Sequence, residues 1–210
     1  MSLRFLRSVR NALRNRYRTV AWTLARWRHS LRTRKRIVVG AGGTRYPGWL
    51  QTDREHLDLL READWRRLCA PDSLAAILAE HVWEHLTPED ASVAARQCLR
   101  YLKPGGLLRI AVPDGLHPDP AYVDYVRPGG PGAGSDDHKV LYTFRSLGEL
   151  FSAAGFEVHL LEYFDEAGQF HRQPWDLAEG FIQRSAEHDD RNADGRLAYT
   201  SIILDARKPV

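Results

Sequence analysis

The sequence predicts an α/β domain, with a mostly parallel sheet covered by helices on both faces, preceded by a basic amphipathic helix. Three observations carry this expectation. From residue 36 onward, short apolar runs alternate with helix-like stretches, the pattern of parallel strands buried on both faces. The first run ends in Gly40-Ala41-Gly42-Gly43, a turn that lets a ligand approach the backbone closely. The third is a charge asymmetry. Residues 1–36 hold eleven Arg, one Lys and no acid, against 18 basic and 27 acidic residues in the remainder. The overall charge of +3 therefore conceals +12 and −9, and the chain divides into a segment 1–35 and a domain 36–210.

The bulk properties exclude several classes. A 43% hydrophobic content supports a true core, and 27% charged residues fit a globular protein. No run approaches the ~18 apolar residues of a membrane span. The N-terminus lacks the apolar stretch of a secretory signal, so a cytoplasmic location is expected. The two cysteines, Cys69 and Cys98, make no metal-binding spacing and suit a reducing compartment.

The elements follow in order. In residues 1–35, Leu6, Leu13, Val20 and Trp27 recur every seven residues, with Val9, Tyr17, Leu24 and Leu31 on the same face and arginines flanking it. Such a helix suits an anionic membrane surface. Nucleic acid phosphates and simple packing on the domain are the alternatives. Ile37–Val39 is the first strand and Trp49–Thr52 the second, ending at Asp53, with a weak third around His56–Leu60. Ala75–Leu78 is a fourth. Residues 88–102 form a helix with Pro88 at its first position and Glu89 and Asp90 in its first turn. Lys103-Pro104-Gly105-Gly106 stops it before the apolar strand Leu107–Val112. Residues 113–137 read as a long loop. Ser146–Ala154 is a helix, Phe156–Phe164 a strand, Leu177–Arg184 a short helix, and Tyr199–Ala206 the last strand.

The series VVGAGG, GWLQTD, AEHVWEHL and CLRYLKPGGLLRIAVPD resembles the class I S-adenosylmethionine-dependent methyltransferases, within them the type 11-like predicted methyltransferases. The resemblance spans about residues 36–207. It implies a Rossmann-like seven-stranded sheet with the last strand antiparallel, and S-adenosylmethionine at the carboxyl ends of the first strands. It places Gly40, Ala41 and Gly42 under the methionine part and Asp53 at the ribose hydroxyls. Ala79, Glu80 and His81 would line the cofactor and the substrate entrance, with Asp64 or Trp65 bordering the adenine. Two departures stand out: Val38 where the family often has an acid or Asn, and Thr44 in place of the third glycine.

His81, Glu84 and His85 share one helical face, so they can converge on a divalent metal. The ubiquinone-pathway O-methyltransferases and the small-RNA terminal 2′-O-methyltransferases resemble this layout, and His138 matches their downstream histidine. Local packing at a helix start is the competing account. His81 or His138 can also serve as general base, with His117 a more remote candidate. The expected activity is methyl transfer to O or N of a small-molecule, glycan or lipid-linked acceptor, with the protein peripheral on the inner membrane face. RNA methylation and non-catalytic cofactor binding are the alternatives.

Overall fold

The structure is a computed structural model that describes residues 21–32 and 35–210. The strands are β1 (Lys35–Val39), β2 (Leu50–Thr52), β3 (Leu74–Glu80), β4 (Leu102–Pro113), β5 (Glu157–Phe164), β6 (Phe170–Arg172) and β7 (Ser201–Arg207). They form one seven-stranded sheet in the order β2-β1-β3-β4-β7-β5-β6. The first four are mutually parallel. β7 is antiparallel to both β4 and β5, and β6 is antiparallel to β5, so β6 and β7 are the two reversed strands. Helices are α1 (residues 21–30), α2 (Glu62–Leu68), α3 (Pro88–Tyr101), α4 (Pro120–Val126) and α5 (Phe144–Ala153).

The two faces of the sheet are covered differently. Trp65 and Leu68 of α2, Ala91, Ala95 and Cys98 of α3, and Leu147 and Phe151 of α5 pack with Ile37, Ile77, Leu108 and Leu204 of the sheet. On the other face Val38, Leu78, Ala111 and Ile203 meet Tyr46, Trp49, Trp175 and Ile182. No helix intervenes between β1 and β2. This second layer is mostly the 173–184 segment, where a 3-10 turn, Leu177–Glu179, takes the place of the expected short helix.

One side chain fastens that segment. Arg109 on β4 lies directly across from Asp205 on β7. It donates from Nε and Nη2 to the two carboxylate oxygens at 2.7 and 2.9 Å. Nη1 donates to the carbonyls of Asp176 (2.8 Å) and Gly180 (2.6 Å), and the guanidinium lies 4.8 Å from the Trp175 ring. The bidentate geometry and the satisfied fourth donor are what make a buried charge tolerable.

Several sequence expectations change. His56–Leu60 is not a strand. Leu57 and Leu59 are buried, but the Asp53 carbonyl accepts from His56 and Leu57. The Asp58 carboxylate accepts from the Leu60 N–H, and Asp64 from the Asp58 N–H. Side-chain acceptors here offer the backbone a turn instead of a ladder. The expected loop 113–137 contains α4, whose signals were Asp119, capping the Ala121 N–H at 2.8 Å, and Pro120 at the first position. The short strand β6 pairs with β5 after a turn in which Asp165 accepts from Ala167 and Gln169.

Only part of the basic segment falls among the described residues; 1–20 and 33–34 lie outside them. In α1 the ring of Trp22 stacks on His56 at 4.6 Å and its Nε1–H reaches the Gln51 carbonyl at 3.3 Å. Arg26 donates to the Arg67 carbonyl and the His29 ring accepts from the Arg36 N–H. These three residues, spaced four and three apart, dock one face of α1 on the domain. The opposite face presents Leu24, Trp27 and Leu31 to solvent, 51%, 60% and 68% exposed.

Candidate active site

The site is assembled where β1, β2 and β3 end together, the edge at which open α/β sheets bind ligands. After Val39 the chain turns through Gly40 and Gly42, with φ of +60° and +63°, a region costly for residues with a Cβ. The Ala41 N–H donates to the Thr52 carbonyl at 3.0 Å, keeping the turn against β2. Asp53, the next residue, accepts the Gly42 N–H on Oδ1 at 2.8 Å. Among the described residues its Oδ2 accepts no hydrogen bond, so it is available to a ligand hydroxyl.

Two cavities meet at this turn. The first, about 420 Å³, runs over the Gly40–Thr44 backbone beneath Tyr46, Glu80, His81 and Arg184. The second, about 320 Å³, lies between Leu57–Leu60 and Val82, His85 and Leu86, with Arg54, Asp58 and Asp137 at its rim. Val39, Gly40 and His81 belong to both. Both volumes are within the ~300–1,000 Å³ of small-molecule sites. A Cβ added at Gly42 or Gly43 would meet nothing within 4 Å; the turn is a bare backbone cradle with open space above it. The cradle and the joined cavities fit S-adenosylmethionine; Asp53 lines neither cavity and adjoins them through its bond to the Gly42 N–H.

His81 is the hinge between the cavities. It leaves β3 with φ of +55°, a conformation that non-glycine residues hold chiefly where surrounding contacts require it. Its N–H is held by the Ala111 carbonyl at 2.8 Å. Nδ1 lies 3.0 Å from Glu84 Oε1, and Nε2 lies 3.1 Å from the Ser201 hydroxyl. Burial pushes the Glu84 carboxyl up, but the adjacent His81 and His85 imidazoles draw it down further, to a net position below its ordinary value. Glu80 also lines the first cavity, yet its oxygens accept from the Gln183 and Arg184 N–H groups at 3.2 and 2.8 Å. It therefore anchors the roof of the cavity as well as bordering it. Burial pushes the Tyr46 phenol up to about 12, with Glu80 adding to the effect. Tyr46 thus stays protonated at neutral pH and donates to the Phe181 carbonyl at 3.0 Å.

Other expected site residues fall elsewhere. Trp65 is fully buried, donates to the Leu59 carbonyl and stacks on Tyr101 at 4.9 Å; it is core, and the apolar slot near β2 is made by Leu57, Leu59 and Leu60 instead. Asp64 serves the Asp58 turn. Ala79 is enclosed in the sheet core, while its neighbours Leu78 and Glu80 reach the first cavity. His117 accepts from the Asp119 N–H and contacts the Leu197 carbonyl and Tyr122, fixing a turn. His138 is buried, its Nδ1 2.7 Å from the Val126 carbonyl, and borders neither cavity, so it is not placed to take a proton from a molecule bound there. Sequence reasoning missed Tyr46, Asp58 and Val82; Tyr46 and Asp58 lie in no motif, Val82 sits unremarked inside AEHVWEHL, and only the folding of three loops onto one edge brings them together.

This sheet, with β7 reversed and a glycine turn and acid at the ends of β1 and β2, is the fold of the class I S-adenosylmethionine-dependent methyltransferases. Residues 44–110, about a third of the chain, match the family model described as a methyltransferase domain, which agrees with the fold. No curated protein matches the chain. Among solved structures it is similar to one in the complex between the Haloferax volcanii Trm112 methyltransferase activator and a methyltransferase. That likeness has a TM-score of 0.51 at 12% identity, over 85% of this chain and 84% of the other. A SAM-dependent methyltransferase from Archaeoglobus fulgidus follows at 0.48 and 13%, over 91% and 94%. Phosphoethanolamine N-methyltransferase 2 of Haemonchus contortus, solved with S-adenosyl-L-methionine, gives 0.44 and 14%, over 86% of this chain and 50% of the other.

Proposed function

We propose that the protein methylates an oxygen or nitrogen of a small-molecule, glycan or lipid-linked acceptor. The observation that carries this reading is His81, an imidazole on a strained backbone at the junction of two cavities, with a buried carboxylate behind it. S-adenosylmethionine supplies an electrophilic methyl group when bound. Gly40, Ala41 and Gly42 would hold its amino-acid part, Asp53 its ribose, and Leu57, Leu59 and Leu60 its base. The polar rim of the first cavity, with Tyr46, Glu80 and Arg184, is left to orient the acceptor. His81 Nε2 would take the acceptor's proton, and Glu84 would orient the ring and favour its charged form. The reacting groups need only be aligned in a site that excludes bulk water.

The test follows a labelled methyl group from S-adenosylmethionine into a cell extract separated into small molecules, glycans, lipids and RNA. Label is expected in one of the first three, with transfer by His81→Gln reduced about 100-fold or more. Label confined to RNA would replace this reading by RNA methylation, and none in any fraction would leave a cofactor-binding protein.

We also propose that α1 holds the enzyme at an anionic membrane surface. No helix among the described residues is long and apolar enough to cross a membrane. The solvent-facing Leu24, Trp27 and Leu31 beside Arg28 and Arg32 instead suit a helix lying in the interface. Replacing Trp27 and Leu31 with serine is expected to weaken binding to phosphatidylglycerol-containing vesicles about tenfold or more, since each buried side chain contributes about 1.5–3 kcal/mol. Equal partitioning of variant and wild type would contradict it.

A further inference from the structure

We propose that Glu84, His85 and His138 form a binding site for one divalent transition-metal ion, of the zinc class, behind the cavity wall. Glu84 and His85 come from the turn after β3, and His138 from the far end of the 113–138 segment. One ligand atom from each lies within 4.8 Å of the others. His138 reaches this point because the 3-10 turn Ser135–Asp137 ends there and the Lys139 N–H bonds to the Glu84 carbonyl. Its ring meets that of His85 edge-on at 4.8 Å.

The independent observation is Glu84 itself. Its side chain is 1% exposed, and neither carboxylate oxygen has a properly directed hydrogen bond among the described residues. The nearest nitrogens are His81 Nδ1, 3.0 Å from Oε1, and His138 Nε2, 4.0 Å from it. A buried carboxylate left in this state is costly unless it meets a cation.

The imidazoles are prepared in the way metal ligands are. His138 turns Nδ1 to the Val126 carbonyl at 2.7 Å, which leaves Nε2, the atom nearer Glu84, as the one to ligate. His85 Nδ1 lies 3.5 Å from the Asp137 carboxylate, leaving its other nitrogen for the ion. An imidazole oriented by an oxygen on its second nitrogen is the usual support for a ligating histidine. Two nitrogens and one carboxylate suit zinc better than magnesium or calcium, which prefer all-oxygen shells. His85 also borders the 320 Å³ cavity, from which water or an oxygen of a bound molecule can complete the shell. The expected set of His81, Glu84, His85 and His138 is thus narrowed: His81 Nδ1 lies 3.0 Å from Glu84 with Nε2 on Ser201, and the three residues whose ligand atoms lie mutually within 4.8 Å are Glu84, His85 and His138.

The test uses the full chain stripped with chelator and titrated with Zn²⁺ by calorimetry and with Co²⁺ by visible absorption, without S-adenosylmethionine. It therefore succeeds or fails separately from the methyl-transfer reading. One equivalent is expected to bind and to raise the unfolding temperature. Glu84→Gln and His85→Gln should each lower affinity about 100-fold or more and abolish that rise, and Asp137→Asn about tenfold. His117→Gln, altering a buried histidine outside the cluster, serves as control and should bind as wild type does. If Glu84→Gln does not fold, the half-buried His85 decides alone. Absence of stoichiometric uptake, or unchanged affinity in His85→Gln, would overturn the proposal.

Discussion

Replacing Arg109 with alanine is expected to lower the unfolding free energy by about 3–5 kcal/mol, the usual cost of removing one partner of a buried pair. The loss has two parts. Asp205, 6% exposed, would keep its charge without the two hydrogen bonds it now accepts. The Gly180 carbonyl would lose its donor, the Asp176 carbonyl would keep only the Glu179 N–H, and Trp175 would lose its cation. Urea unfolding of wild type and variant measures the difference. A second readout distinguishes this residue from an ordinary core position. The segment it fastens continues to Gln183 and Arg184, whose N–H groups Glu80 holds over the first cavity. Cofactor affinity should therefore fall along with stability. In Arg109→Met/Asp205→Leu the unpaired charge is gone, so part of the stability should return. The Gly180 carbonyl remains without a donor, so the recovery is incomplete. A loss below about 1 kcal/mol in Arg109→Ala would show that the pair is only a surface-like contact.

Gly40→Val is expected to weaken S-adenosylmethionine binding about 100-fold while leaving the domain folded. Gly40 sits at φ of +60°, where a β-branched residue is strained whatever the space around it. A Cβ there would also lie 2.6 Å from Val82 Cγ2. Val82 borders the second cavity, so relief of that contact repositions a wall of the site. Displacements of this order, about 1 Å, cost about two orders of magnitude where alignment matters. Calorimetry reads the affinity, and far-UV circular dichroism reports whether the sheet persists.

The parts legible in the sequence are those set by local chemistry. The glycine turn, Asp53 closing β2, and the start of α3, where Thr87 accepts the Asp90 N–H, follow from residue types at fixed spacing. The apolar run Leu107–Val112 belongs to a longer strand, because β4 continues back through the KPGG turn to Leu102. What stayed hidden depends on distant partners. Nothing local marks Arg109 as the clasp of the second layer, since its partner lies 96 residues away. Leu57 and Leu59 alternate as a strand would, and only the side chains of Asp58 and Asp64 turn them into a loop. Trp65 is equally plausible by sequence as a ring over a bound base or as core. The stacked Tyr101 makes it core. Of the seven-residue repeat in the first segment, only Leu24, Trp27 and Leu31 fall among the described residues, where they face solvent, and the residues docking on the domain are Trp22, Arg26 and His29, on the opposite face.

The histidines show the same division. The spacing of His81, Glu84 and His85 suggested one convergent face, but the turn after β3 is a 3-10 turn, Trp83–His85, and His81, at positive φ, keeps Nδ1 beside Glu84 while its Nε2 meets Ser201. One local motif therefore serves two places, His81 at the cavities and His85 with Glu84 toward His138.

The central claim is that the Gly40–Gly42 turn and Asp53 hold S-adenosylmethionine. Isothermal titration of S-adenosylmethionine into the wild-type chain tests it most directly, with Gly40→Val as the blocked-site control. One equivalent is predicted to bind in the micromolar range or tighter, with the signal lost in the variant. No heat of binding at high micromolar cofactor, or equal binding by Gly40→Val, would contradict the account.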